Sequence, residues 1–275
     1  MTLGRRLTRN FFTKPTLRVA KELLGKYLVR NYKGKILIGK IVETEAYIGP
    51  KDKASHAYSK KEQNPKEKLK IINENWERIK NYVENKKLFI KKILSLKKAK
   101  VTKRNLAEYL RGGHIYIYLV YGNYYQLNIT TYKEGYPECV LIRSLEPVFN
   151  LKNPKGPGRL CEELKLDSSF WGEDLVKSKR IYIVDSWKDS RMNSEWGSRM
   201  NHEWGLQTNP KDTHKKISRS IHEIYSKNLG KKYSRYIREK YLIVRTTRIG
   251  IDYAEECKFL KWRFYLKNNP WVSKK

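Results

Sequence analysis

Apolar residues recur along this chain with two different periods, and the changes between them mark out its elements. Leu17, Val19, Ala20, Leu23 and Leu24 fall at helical spacing between Pro15 and Gly25, which predicts a short helix. The runs Tyr27 to Arg30 and Ile36 to Tyr47 are instead rich in β-branched and aromatic residues, and the Lys33-Gly34 turn between them predicts a hairpin. With a period of two, Ile41, Glu43, Glu45 and Tyr47 share one face of its second strand, and Val42, Thr44 and Ala46 share the other. Two carboxylates and an aromatic ring on one strand face are the first candidate for chemistry.

Between Pro65 and Lys98, Leu69, Ile72, Trp76, Ile79 and Val83, then Phe89, Ile90, Ile93 and Leu94, recur at three- and four-residue steps in a Lys-rich background. This predicts one or two amphipathic helices, packed on the body by the apolar stripe. Tyr116 to Tyr121, Tyr125 to Thr131 and Glu138 to Leu145 predict an antiparallel meander, turning at Gly122-Asn123 and at Lys133-Glu134-Gly135. Tyr121-Gly122-Asn123-Tyr124 sets large rings near a hairpin tip, where they serve either as sheet packing or as a contact surface or wedge. Lys155-Gly156-Pro157-Gly158-Arg159-Leu160 reads as a turn leading into a helix over Cys161 to Leu164, near phosphate. Residues 190–197 are nearly repeated at 198–205, a duplication too short for a solenoid and suited to a surface loop. The tail from Ile243 to Val272 reads as loop then strand. No linker divides the chain, so a single domain over 1–275 is expected, with a helical insertion over about 60–101 and a variable one over about 185–240.

Charge changes this picture. Among 275 residues, 60 Lys and Arg face 28 Asp and Glu, a formal charge of +32 that favours a polyanionic partner, above all nucleic acid. For the lysine runs the competing explanation is compositional bias, which scatters basic residues without building a binding face. Cys139, Cys161 and Cys257 fit neither C-x-x-C pairs nor zinc spacing, which argues for a reducing compartment and against a structural metal. His56, His114, His202, His214 and His222 include no H-E-x-x-H, and no apolar run is long enough to cross a bilayer, so a soluble, metal-free protein is expected. Met1 to Phe12 is basic and free of acids, and reads as a lead-in to the first helix rather than a targeting segment.

The run Ile41-Val42-Glu43-Thr44-Glu45-Ala46-Tyr47-Ile48-Gly49-Pro50, followed by Asp52, Ala54 and His56, resembles the active-site strand and loop of alkyladenine (3-methyladenine) DNA glycosylases. Tyr116 to Tyr124 through Leu127-Asn128-Ile129, and Cys139 to Pro147, resemble the same family's next two blocks, in the same order. Weaker similarity covers Phe11 to Arg30, Gly156 to Leu166, Arg248-Ile249-Gly250, Trp262-Arg263-Phe264 and Asn269 to Ser273.

The resemblance implies a mixed α/β (α+β) domain with a curved antiparallel sheet, a protruding hairpin, surrounding helices and the Lys-rich helical insertion. It implies that Glu45 is the general base for the attacking water and that Arg143 helps to hold that water. The chemistry agrees, since an N-glycosidic bond breaks through an oxocarbenium-like state that a carboxylate both supplies with activated water and stabilises. Glu43, on the same strand face, competes for that role, or else is a salt-bridge partner. By resemblance, Tyr47, His56 and Tyr118 enclose the extruded base, with the His56 backbone N–H as a donor to it. Aromatic walls suit a cationic alkylated purine, each contact contributing roughly 0.5 to 2 kcal/mol. Asn128 matches a position that discriminates against the guanine amino group and Leu141 an apolar pocket residue, although read alone each is a core residue. Tyr121 matches the residue that fills the gap left by the flipped nucleotide.

This chain departs from the family in places. The segment between His56 and Tyr116 is longer than usual, Lys103 replaces the proline of a Thr-Pro-Arg-Asn element, and Ala107-Glu108-Tyr109 stands where Gly-Met-Phe is expected. The implied activity is a monofunctional glycosylase without a cofactor, acting as a monomer on double-stranded DNA with damaged purines, with no membrane partner. The nucleus of a eukaryote, or otherwise the cytoplasm, is the expected location. Two alternatives remain at this stage: a non-catalytic basic DNA- or RNA-binding protein, and a lyase using a Lys as Schiff-base nucleophile.

Overall fold

A computed structural model describes residues 2–188 and 242–274. The chain divides into two compact units, one of Met1–Gly4 and Ser186–Leu242, the other of Arg5–Asp185 and Ile243–Lys275. In the first, the strand β1 (Thr2–Leu3) pairs antiparallel with β8 (Trp187–Lys188). The octapeptide duplication, and the expected variable stretch beyond residue 188, lie outside the described residues.

The larger unit runs α1 (Arg9–Phe12), α2 (Thr16–Glu22), β2 (Tyr27–Tyr32), β3 (Lys35–Ile48), α3 (Pro65–Glu74), α4 (Trp76–Ile79) and α5 (Lys86–Ser95). There follow β4 (Ile115–Val120), β5 (Tyr124–Thr130), β6 (Glu138–Phe149), α6 (Pro157–Glu163), β7 (Ile181–Val184), β9 (Ile243–Thr246) and β10 (Arg263–Leu266). It is a mixed α/β fold around one open, eight-stranded antiparallel sheet.

The sheet is organised by β3. One side of this 14-residue strand pairs along most of its length with β6, whereas the other pairs first with β2 and then, over Glu43 to Glu45, with β10. The carboxylate-bearing half of β3 is therefore flanked by two strands that carry arginines, and its residues from Leu37 to Ala46 are buried. Thr44 Oγ1 donates to the Ala20 carbonyl at 2.8 Å, which ties α2 to the other face.

Four differences from the sequence expectations have physical reasons. The strand β6 extends past Leu145 to Phe149 through Pro147, which sits opposite Gly39 at an irregularity in the ladder, where a missing N–H is tolerated. Helix α6 begins at Pro157 rather than Cys161, because proline suits the first helical position. The tail is not simply loop then strand, since Ile243–Thr246 also forms a strand and pairs with β10. In the Lys-rich segment three short helices replace the one or two expected, and Leu69 of the predicted stripe is exposed. Its neighbour Lys68 is buried instead, with Nζ donating to the Leu96 carbonyl at 2.7 Å.

Ile72, Ile79, Phe89 and Ile93 of these helices join Ala57, Leu106, Tyr109, Tyr116 and Cys139 in one apolar cluster. The insertion thus packs against residues that reach the cavity described next. Among the described residues, no helix is long and apolar enough to cross a membrane, and no group of three or more His, Cys, Asp or Glu could hold a metal ion.

Candidate active site

The β3–β6 ladder skips a residue at its centre. Glu43 lies opposite Ser144 and Thr44 opposite Ile142, so Arg143 is the extra residue of a bulge. From there the guanidinium reaches two carboxylates: Nε donates to Glu43 Oε1 at 3.2 Å and Nη1 to Glu45 Oε2 at 3.3 Å. Burial disfavours the Arg143 charge, but Glu45 and Glu43 outweigh it and raise its pKa further above the usual range.

The two glutamates, equivalent by strand alternation, differ in what surrounds them. Glu43 accepts from Arg143 and from Arg263 Nε at 2.7 Å on Oε1, and from the Ser273 N–H at 2.6 Å on Oε2; of these partners only Arg143 lines the cavity described below. Glu45 accepts from Tyr47 Oη at 2.9 Å and Arg143 on Oε2, and from the Ile249 N–H at 2.8 Å on Oε1. A carboxylate offers about four lone-pair sites, so Glu45 keeps one on Oε1 while held rigidly by three donors. Its side chain is fully buried, behind Tyr47 and Arg143. Burial and then the Glu45 charge push the Tyr47 hydroxyl well above its ordinary pKa, which keeps it a donor.

Tyr47 and Arg143 line a cavity of about 590 Å³ whose wall also includes His56, Tyr118, Asn128, Leu141 and Tyr121. All the candidate residues but the buried Glu43 and Glu45 therefore line one space. His56 and Tyr118 meet edge to face, with ring centroids 4.7 Å apart, and His56 Nδ1 lies 2.7 Å from the Tyr116 hydroxyl. Although His56 opens to the surface, the surrounding protein, then Arg104 and Lys100, lower its pKa to about 4, so the ring is neutral at neutral pH. Tyr118 Oη donates to Gln126 Oε1 at 2.9 Å, and the Arg104 guanidinium lies 4.8 Å from its ring centroid. Asn128 and Leu141 face each other across the β5–β6 ladder, both nearly inaccessible.

The loop after β3 is pinned from several directions. A Cβ at Gly49 would come within 2.5 Å of Ser55 Oγ, so the chain needs glycine to fold back here. Asp52 holds Arg248 through two contacts, 2.5 Å to Nη1 and 2.8 Å to Nη2, and the same guanidinium lies 4.7 Å from the Tyr47 ring centroid. Asn105 Nδ2 donates to the His56 carbonyl at 3.1 Å, so the Thr102-Lys103-Arg104-Asn105 element anchors the His56 loop even with lysine in place of proline.

At the β4–β5 tip, Tyr121 (φ +50°) and Gly122 (φ +72°) both adopt left-handed backbone, as mirror-image hairpin turns require. Tyr121 is 92% exposed, so its ring is not sheet packing. Tyr124 is different, since it closes over Gly158, where a Cβ would come within 2.9 Å of its ring.

Arg248, the Ile249 N–H, Arg104, Tyr116 and Glu108 are parts of the site that pattern reasoning did not single out. A backbone donor has no side-chain signature, Arg248, Arg104 and Tyr116 read as ordinary basic or core residues, and Glu108 stands out only as a departure from the family's Gly-Met-Phe.

The fold and the cavity define a class: an open antiparallel sheet bearing a buried Glu–Arg–Glu cluster beside an aromatic-walled pocket. Residues 10–70 and 95–202 match the model of the family described as Methylpurine-DNA glycosylase (MPG). The break in that match spans most of the Lys-rich helices. Proteins of Clostridium tetani and Clostridium perfringens (strain SM101 / Type A) are 32% and 33% identical to this chain, each alignment covering 98% of it and 100% of the relative. One of Natranaerobius thermophilus is 30% identical over 98% of both chains. All three carry the provisional name 3-methyladenine DNA glycosylase. This chain belongs to the methylpurine-DNA glycosylase family.

Proposed function

We propose that this protein is a DNA repair glycosylase that takes an alkylated or deaminated purine out of duplex DNA into the cavity and hydrolyses its N-glycosidic bond with water, leaving an abasic site. The observation that carries this reading is the environment of Glu45: a fully buried carboxylate with one acceptor site to spare, held by Tyr47, Arg143 and the Ile249 N–H, three residues that all line the cavity. A water on that site loses its proton to Glu45 as its oxygen bonds to C1′, and the carboxylate offsets positive charge on the sugar. Arg143 holds the carboxylate in place from the cavity wall.

Tyr47, His56 and Tyr118 stack on the base. With a neutral His56, their ring faces favour a cationic purine without adding a competing positive charge. Asn128 and Leu141 set the shape of the pocket floor. Tyr121 fills the gap in the duplex, offsetting the few kcal/mol that extrusion costs. Basic residues contact phosphates without reading sequence, which suits search along DNA by a monomer.

The test is release of 3-methyladenine from methylated duplex by wild type and Glu45→Gln, with binding to the same duplex measured in parallel. Release lowered by a factor of about 10² to 10⁴ with binding retained supports the assignment. Absence of release by the wild type from any alkylated duplex sinks it.

A further inference from the structure

The reaction described above employs Glu45, buried behind the cavity wall, yet another carboxyl lies on the wall itself. Glu108, in the 3₁₀ turn Leu106–Tyr109, lines the same space and is 2% exposed. Its Oε1 lies 3.5 Å from Cys139 Sγ, and its Oε2 is buried without a hydrogen-bond partner. No cation is bonded to it. A buried carboxyl oxygen left without a partner is costly, and here it belongs to a side chain on the wall of a pocket built to receive a polar heterocycle.

We infer that Glu108 is the proton donor to the leaving base, used for purines that enter the pocket uncharged. This rests on the glycosylase reading given above. The two carboxyls, one behind the cavity wall and one on it, have different surroundings. Glu45 meets a guanidinium, a phenol and an N–H, all donors, whereas Glu108 has only the weak Cys139 thiol on one oxygen and no hydrogen-bond partner on the other. Divergent environments of this kind assign one carboxyl to base work and the other to acid work.

The groups facing Glu108 come from every element around it: Cys139 on β6, Tyr116 and Tyr118 on β4, Asp52 from the loop after β3, Arg104 from the preceding loop and Tyr109 on its own turn. Burial raises its pKa to about 8, the Cys139 contact and Arg104 opposing and Asp52 reinforcing the rise.

In the step itself, the C1′–N9 bond breaks and its electron pair leaves with the purine. The Glu108 proton moves to a ring nitrogen of that purine, leaving Glu108 as carboxylate. The water oxygen bonds to C1′ and its proton passes to Glu45. After product release, solvent returns a proton from Glu45 to Glu108. A base that already carries a positive charge, such as 3-methyladenine, leaves as a neutral molecule and needs no such donor.

The test compares single-turnover release of 1,N6-ethenoadenine, a neutral base with no acidic proton of its own, with release of 3-methyladenine between pH 6 and 9.5. In the wild type, ethenoadenine release is expected to fall about tenfold per pH unit above about 8 while 3-methyladenine release does not follow it. Glu108→Gln is expected to slow ethenoadenine release by about 100-fold or more, at least about tenfold more than it slows 3-methyladenine release, and to lose that alkaline fall. The wild-type comparison needs no variant, so a misfolded Glu108→Gln does not blunt the test. Equal slowing of both bases by Glu108→Gln, an alkaline fall that persists in it, or a wild type that releases 3-methyladenine but not ethenoadenine would each overturn the role of Glu108 while leaving the glycosylase reading intact. A wild type that releases neither base removes both.

Discussion

Arg143 donates to Glu43 as closely as it does to Glu45, at 3.2 Å against 3.3 Å, so the guanidinium is held between two fully buried carboxylates rather than paired with one. Glu43 spends both oxygens on Arg143, Arg263 and the Ser273 N–H. Of these only Arg143 lines the cavity, whereas Tyr47, Arg143 and Ile249, the partners of Glu45, all do, so Glu43 meets the cavity only through the arginine that also holds Glu45.

The first prediction separates the two glutamates by stability. Removing one partner of a buried ion pair costs about 3 to 5 kcal/mol, because the other charge is stranded. Glu43→Gln removes the carboxylate partner of Arg263 and one of the two that hold Arg143, so it is expected to lower the unfolding free energy by about that amount. It should also slow base release by about 100-fold through misplacement of Arg143. Urea unfolding and single-turnover release check the two halves. A Glu43→Gln protein as stable as the wild type but wholly inactive would mean that Glu43, not Glu45, is the base.

Tyr121 carries the second prediction. Because the ring is 92% exposed, Tyr121→Ala is expected to change folding stability by no more than about 0.5 kcal/mol. Loss of the stacking surface should nevertheless weaken binding to a lesion-bearing duplex by about 1 to 3 kcal/mol. Fluorescence anisotropy on matched duplexes with and without the lesion reads this directly. Equal weakening on both duplexes would make Tyr121 a general DNA contact and not a wedge for the extruded base.

How far these roles could be read in the sequence depended on whether their causes were local. The β3 alternation put Glu43, Glu45 and Tyr47 together, and the Tyr121-Gly122 turn is legible because a hairpin tip depends on a few adjacent residues. The choice between Glu43 and Glu45 was not legible from pattern. What distinguishes their surroundings is Arg263 and the Ser273 N–H for one and the Ile249 N–H for the other, all more than 200 residues away in sequence. Leu69 failed for a related reason. Helical spacing nominated it for the core, but the Leu96 carbonyl offered Lys68 a buried acceptor, and the helix turned that face inward.

Charge yields a third prediction. If the +32 is organised as a DNA-binding face, the logarithm of the duplex affinity falls with log salt at about −0.9 per phosphate contact. With six or more contacts, undamaged-duplex affinity should drop by about 10³ between 50 and 200 mM salt. A slope near that of a single contact would mean that most of the lysines reflect composition alone.

The last prediction concerns Glu108 and pH. An ordinary glutamate titrates near 4.5, whereas burial, partly opposed by the Cys139 contact, holds Glu108 at about 8. Between those values the folded protein keeps a proton that the unfolded chain has released, so folding stability falls as pH rises. The contribution is fully present below about 4.5 and is lost as pH passes through about 8. At 1.36 kcal/mol per pKa unit the swing is on the order of a few kcal/mol. The buried His114 and the His56 of the cavity mouth, both lowered to about 4 chiefly by desolvation, act in the opposite direction, losing stability as pH falls below 6.5. They are common to wild type and Glu108→Gln, so the difference between the two proteins isolates Glu108. Urea unfolding of both at pH 5.5 and pH 8.5 should show the variant gaining on the wild type by a few kcal/mol at the higher pH. An identical difference at both values would mean that Glu108 is already ionised in the folded protein at pH 5.5, and with that the proton it is proposed to give the leaving base disappears.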